Sequence, residues 1–239
     1  SFIHFNYTPH GDKATASLIG DVPRGVMLDQ DPIFLGGQGG VAGPVRIEFG
    51  TVQAAGLVSR KDVLEPGQLV VPEAPAPVVK PYGTGYRSVA RVVRNCAIYI
   101  GNLAALQVWY EQVRRPLLTR TPHGSACYEG AQKQLAAVRK ERLKRLDDVM
   151  ERIAKENRTQ LSADLCREHE KLCGGWTAAR ARLAAAGDVE CAEKAAFLAV
   201  WNAAQEANYL ARVQALPAEA KAAGTAWLQK IVAGAGAPA

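Results

Sequence analysis

His4 stands in Ser1-Phe2-Ile3-His4-Phe5-Asn6-Tyr7, an imidazole among apolar residues at the start of an extended stretch. Histidine titrates near neutrality, so it can take or give a proton under physiological conditions. Read without context, a histidine flanked by Phe2, Ile3 and Phe5 is a structural group with satisfied nitrogens. His10, in Pro9-His10-Gly11-Asp12, lies in turn chemistry and is incidental. Cys166, His169 and Cys173 share one helical face at C-x2-H-x3-C spacing. Three soft ligands fall short of the four that a structural zinc requires, so a packed face of reduced thiols is the better reading. Ala54-Ala55-Gly56 carries minimal side chains, as a tight chain corner or a close approach of backbone to a ligand requires.

The elements that must hold these residues differ between the two ends of the chain. Val45, Thr51, Leu57, Val63 and Leu69 recur at steps of six, and so do Arg46, Val52, Val58, Leu64 and Val70. Neither a helix nor a paired strand has that period. A parallel β-helix of triangular section does, with the first column inward and small residues at the corners. The expected fold is therefore mixed: a short left-handed parallel β-helix over 1–72, a Pro-rich linker over 73–87, and an α-helical domain over 88–233.

Helices are expected at about 88–115, stopped by Pro116, and at about 125–158. Leu143, Leu146, Met150 and Ile153 share one face of the second. Ser162 caps a third helix, ending at Cys173 before Gly174-Gly175. Further helices are expected near 177–186, 189–216 and 217–233, with a frayed tail from Gly234. Trp109, Trp176, Trp201 and Trp227 fall at helical positions and read as core anchors.

The formal net charge is +6, and it is uneven. Between Arg114 and Arg158 there are 12 basic and 6 acidic residues. The interleaved acids favour a solvated helix face over a nucleic-acid surface. Five cysteines, with no C-x-x-C pair, fit reduced thiols in the cytoplasm better than a disulfide framework. No membrane span or signal peptide is visible. The strand-like start without Met suggests a piece of a longer protein.

Two stretches carry a resemblance to known proteins. One is His4-x-x-Tyr7; the other runs from Ala42-Gly43-Pro44-Val45-Arg46-Ile47 through Gly50–Gly56 to Lys61-Asp62-Val63. Over roughly the first 70 residues the chain resembles the hexapeptide-repeat, left-handed β-helix transferases. It is most similar to the acetyltransferase half of bifunctional N-acetylglucosamine-1-phosphate uridyltransferases and to related sugar-1-phosphate nucleotidylyltransferases. The resemblance implies acetyl-CoA-dependent N-acetylation of an amino-sugar phosphate. His4 would be the general base, Tyr7 and Asn6 would hold the sugar phosphate, and the Ala55 N–H would face the thioester carbonyl and stabilise the oxyanion. No metal ligand set is implied. It also implies a homotrimer as the working assembly, with a sugar phosphate or nucleotide sugar as small-molecule partner.

A reading of a different class stands beside this one. The N-terminal part would be a non-catalytic assembly or regulatory module of a nucleotidylyltransferase, and the helices would oligomerise it.

Overall fold

The computed structural model describes residues 2–3, 17–73, 86, 88–156 and 161–236. The chain is mostly helical, and its strands are only two residues long. β1 (Phe2–Ile3) pairs antiparallel with β2 (Ser17–Leu18). β3 (Phe34–Leu35), β5 (Val52–Gln53) and β7 (Leu69–Val70) form a parallel sheet in the order β3-β5-β7. β4 (Gly40–Val41) pairs in parallel with β6 (Val58–Ser59).

The left-handed β-helix followed by a helical domain is not the fold. The short parallel strands make two small sheets beside a helical body, and the expected inward column is not continuous. Val45 and Thr51 are buried, Leu57 and Val63 are half-buried, and Leu69 is 69% exposed. A solenoid buries its whole column coil after coil, whereas this one reaches solvent within a few turns of chain. The segment also supplies the helical core directly. α1 (Val22–Gly25) is capped by Asp21, and the following Met27 is buried with the helices.

α2 (Ala90–Trp109) is the central helix, buried on nearly every side because Val92, Val93, Cys96, Ala97, Ile100, Leu103 and Ala104 leave no polar stripe. Pro116 does not stop it. A π turn over Tyr110–Arg114 leads into α3 (Arg115–Leu118), with Pro116 at its start. Proline lacks the N–H that a helix interior needs, and the widened turn changes the bonding register there.

Two cores flank α2. The first joins it to α4 (Gly124–Lys155) and α5 (Ala163–Ala185). Ser162 caps α5 as expected, its Oγ accepting from the Leu165 N–H at 3.3 Å. The helix then runs straight through Gly174-Gly175, because Leu172, Trp176, Ala179 and Leu183 form one buried stripe across the pair. That burial outweighs the roughly 1 kcal/mol each glycine costs a helix. Arg139 of α4 closes the other end, donating to the carbonyls of Leu183, Ala184 and Ala186 and to Gln107 Oε1. Glu168 caps the start of α2 by accepting from the Val89 and Ala90 N–H groups.

The second core joins α2 to α6 (Ala192–Ala203), α7 (Tyr209–Gln214) and α8 (Ala218–Gly234). The helix expected over 189–216 is broken in two. Asn208 caps a new start by accepting from the Ala211 N–H at 3.1 Å, and Arg212 donates to the carbonyls of Glu206 and Trp201. Trp109, Trp201 and Trp227 are buried here around Phe197, and Trp176 is buried in the first core. Gly101 lets α2 and α8 touch: a Cβ there would lie 2.9 Å from the Val232 backbone. Ala235 is buried at this contact, so the chain is not frayed at Gly234 and Ala235.

α6 and α8 are also joined by Lys230 to Glu193 at 2.6 Å. The Lys230 bond, aided by Glu193's own backbone and by Cys191, holds the Glu193 carboxyl down at about 2. A depressed carboxyl contributes stability above its ordinary value of 4.5, and loses it as pH falls toward 2. Carboxyl NMR titration should place the Glu193 midpoint near 2, and Lys230→Met should move it back toward 4.5. An unmoved midpoint would assign the depression to another group.

Candidate functional site: a cleft between α1 and α8

α1 and the loops between the parallel strands are tied to α2 by three contacts. The Val22 N–H donates to Asn102 Oδ1 at 2.8 Å, Asn95 Nδ2 donates to the Pro44 carbonyl at 3.5 Å, and Arg91 pairs with Asp62 at 3.4 Å. These place α1 and the loop behind it against α8. Between them lies a cleft of about 430 Å3, lined by Arg24, Asp29, Gln30, Leu216, Ala218, Lys221, Ala222 and Thr225. Thr225 closes its floor by donating to the Pro23 carbonyl at 3.1 Å. The volume lies within the range of small-ligand sites.

Arg24 is held rigidly. Its Nε donates to Asp21, its Nη2 reaches Asp21 and Glu48 at 2.7 and 2.8 Å, and its guanidinium lies 4.9 Å from the Phe49 ring centroid. Nη1 takes no part in those bonds. Burial alone would lower the Arg24 pKa, but the bonds to Glu48 and Asp21 win and raise it. Burial likewise pushes Glu48 upward, and the bonds from Arg24 and the Phe49 N–H outweigh it and hold the carboxylate low. Lys221 is half-buried; its backbone N–H donates to the Pro217 carbonyl, and its ammonium makes no hydrogen bond or ion pair with a described residue. Asp29 uses Oδ1 to accept from Gln30 Nε2 at 3.0 Å, leaving Oδ2 for a donor in the cleft. The lining thus offers two cationic donors and one carboxylate.

His4, Asn6 and Tyr7 lie outside the described residues, as does His10. Ala55 is exposed in the turn after β5 and does not line the cleft. Its neighbours are engaged: the Ala54 N–H donates to Val70 and the Gly56 N–H to Gly37. Gly36 packs so closely on this turn that a Cβ would meet Gln53 O and Ala54 C at 2.6 Å. Cys166, His169 and Cys173 form no metal centre, and no cluster of three or more metal-binding side chains occurs among the described residues. His169 is fully buried with Nδ1 3.8 Å from Glu156, and Cys173 Sγ donates to the Met150 carbonyl. All five cysteines are free thiols, and burial pushes the Cys96 thiol far up.

The sequence reading missed Arg24 and Lys221. Asp21-Val22-Pro23 is a legible helix start, but nothing in the Ala-rich run around Lys221 marks it as facing that start across the fold. No family model, curated protein or solved structure matches this chain. No helix among the described residues is long and apolar enough to cross a membrane.

Proposed function

We propose that the chain binds an amino-sugar phosphate in the α1–α8 cleft, as part of a transferase of sugar-nucleotide metabolism. The observation that carries this reading is the lining itself: the Nη1 of Arg24 and the Lys221 ammonium, neither bonded to a described residue, for the phosphate, with Asp29 for an ammonium. Asp21 and Glu48 balance the Arg24 charge and preorganise its fork, so Arg24 offers a directed N–H and Lys221 the uncompensated cation for a phosphomonoester. Asp29 on its own would repel phosphate, and it turns into a selective contact when the same ligand carries an amine. The resemblance of the N-terminal 70 residues supports the same substrate class, with acetyl-CoA as donor and His4 as base.

Calorimetric titration of the full chain with glucosamine 1-phosphate and glucose 1-phosphate tests it. The amino sugar should bind more tightly, and Asp29→Asn should remove that preference. Lys221→Met should weaken both by about tenfold or more, the scale of a lost charge-assisted bond. Absence of heat with either sugar phosphate, or indifference to Lys221→Met, overturns the reading.

A further inference from the structure

The π turn over Tyr110–Arg114 presents a second polar cluster, none of whose residues lines the cleft. The Arg114 guanidinium lies 3.9 Å from the Tyr209 ring centroid and 5.6 Å from that of Tyr110. Arg114 is half-buried, yet its side-chain nitrogens make no hydrogen bond or ion pair with a described residue. None of them is enclosed without a partner, so the N–H groups reach solvent. The Tyr209 hydroxyl accepts from Trp109 Nε1 at 3.0 Å, which leaves its own O–H to donate. The Tyr110 hydroxyl makes no bond to a described residue.

The carboxylates on the surrounding elements are spent on other partners. Glu111 accepts from Arg115 and Tyr128, Glu206 from the Asn208 N–H, and Asp188 from Lys194 and Gln112. Arg114 therefore carries a charge that no described acid balances. Tyrosine faces hold a guanidinium by cation–π attraction and leave its N–H edge free. Tyr209 is itself fixed, edge-on to Trp201 at 6.2 Å and at the start of α7 behind the Asn208 cap. Pro116 accounts for the altered bonding register of the turn, but not for an arginine left without an acceptor. π turns inserted between α-helices are frequent at functional sites.

We infer that Arg114, Tyr110 and Tyr209 form a binding site for the phosphate group of a small ligand. The guanidinium fork supplies two parallel N–H donors, and each phenol supplies an O–H. A tetrahedral phosphate has terminal oxygens for the fork and the phenols together, whereas both oxygens of a carboxylate are used up by the fork. The inference depends neither on the α1–α8 cleft nor on the ligand proposed for it.

Titration of the full chain with inorganic phosphate at constant ionic strength, followed by heteronuclear NMR of the indole N–H groups, tests it. Trp109 is a local reporter, because its acceptor is the Tyr209 hydroxyl. Its resonance should shift saturably, while that of Trp176, bonded to Asp147, stays in place and shows in each variant that the fold is kept. Arg114→Gln should abolish the shift, and Tyr110→Phe should weaken binding by about tenfold, the scale of one charge-assisted bond. Lys221→Met should leave the Trp109 response unchanged, which separates this site from the cleft. Phenyl phosphate as a second probe distinguishes an ester from the free anion, and a response to either supports the site. A Trp109 resonance that is still unmoved at about 10 mM of both probes overturns the inference. So does one that moves equally with acetate, or that still moves in Arg114→Gln.

Discussion

Asp188→Ala is expected to lower the unfolding free energy by about 3 kcal/mol, measured by urea titration. Asp188 lies in the connection between α5 and α6 and fixes three helices from one carboxylate. It accepts from Lys194 Nζ at 2.5 Å, Trp227 Nε1 at 3.2 Å and Gln112 Nε2 at 3.3 Å. The Lys194 side chain is buried, and its other partner, Glu190, is on the surface. Burial alone would lower the Lys194 pKa; the bonds it donates to Asp188 and Glu190 outweigh it, so the ammonium titrates above the ordinary lysine value. A raised amine contributes fully below its unfolded value of 10.5 and loses the contribution as pH rises through the folded value. The wild-type advantage over Asp188→Ala should therefore persist at neutral pH and shrink in strong alkali. Asp188→Asn keeps an acceptor for Trp227 and should cost less. A loss below about 1 kcal/mol would show that the connection is held by packing alone.

Trp227→Ala should cost more, about 3–5 kcal/mol, by the same measurement. Trp227 is fully buried, with its ring 6.0 Å from Phe197, which in turn lies 5.4 Å from Trp109 and 6.1 Å from Trp201. Close-packed aromatic neighbours cannot collapse into the void, so both the transfer and cavity contributions are lost. The Asp188→Ala and Trp227→Ala effects should not add. The indole N–H donates to Asp188 and Lys194 lies 5.9 Å from the ring, so the double variant should cost less than the two singles together. Strict additivity would mean that the carboxylate and the indole act separately.

Much of the helical half was readable from residues alone. The α4 stripe of Leu143, Leu146, Met150 and Ile153 is buried as its spacing requires, Ser162 is the cap it resembles, and all four tryptophans are in the cores. These features are set by i to i+3 and i+4 geometry, which a linear sequence displays. Errors arose where distant packing overrode a local signal. Gly174-Gly175 should end a helix, yet the Trp176 stripe carries α5 through it; Pro116 should end one, yet a π turn leads past it. The break at Ala204–Asn208 is fixed by Arg212 reaching back to the Trp201 and Glu206 carbonyls, bonds that no propensity scale registers.

The six-residue period is the sharper lesson. The sequence by itself determined that Val52 and Val58 recur in phase, each followed by a polar residue, Gln53 and Ser59. Its period puts the column from Val45 to Leu69 inward, but a period cannot say how far along the column burial extends, and only Val45 and Thr51 of it are buried. Only the tertiary structure decided that Gln53 and Ser59 go in while Phe34, Val52 and Leu69 go out. It also decided that Arg24 and Lys221, from opposite ends of the chain, line one cleft. Periodicity is written in near neighbours along the chain. Inside and outside, and the meeting of remote charges, belong to the whole fold.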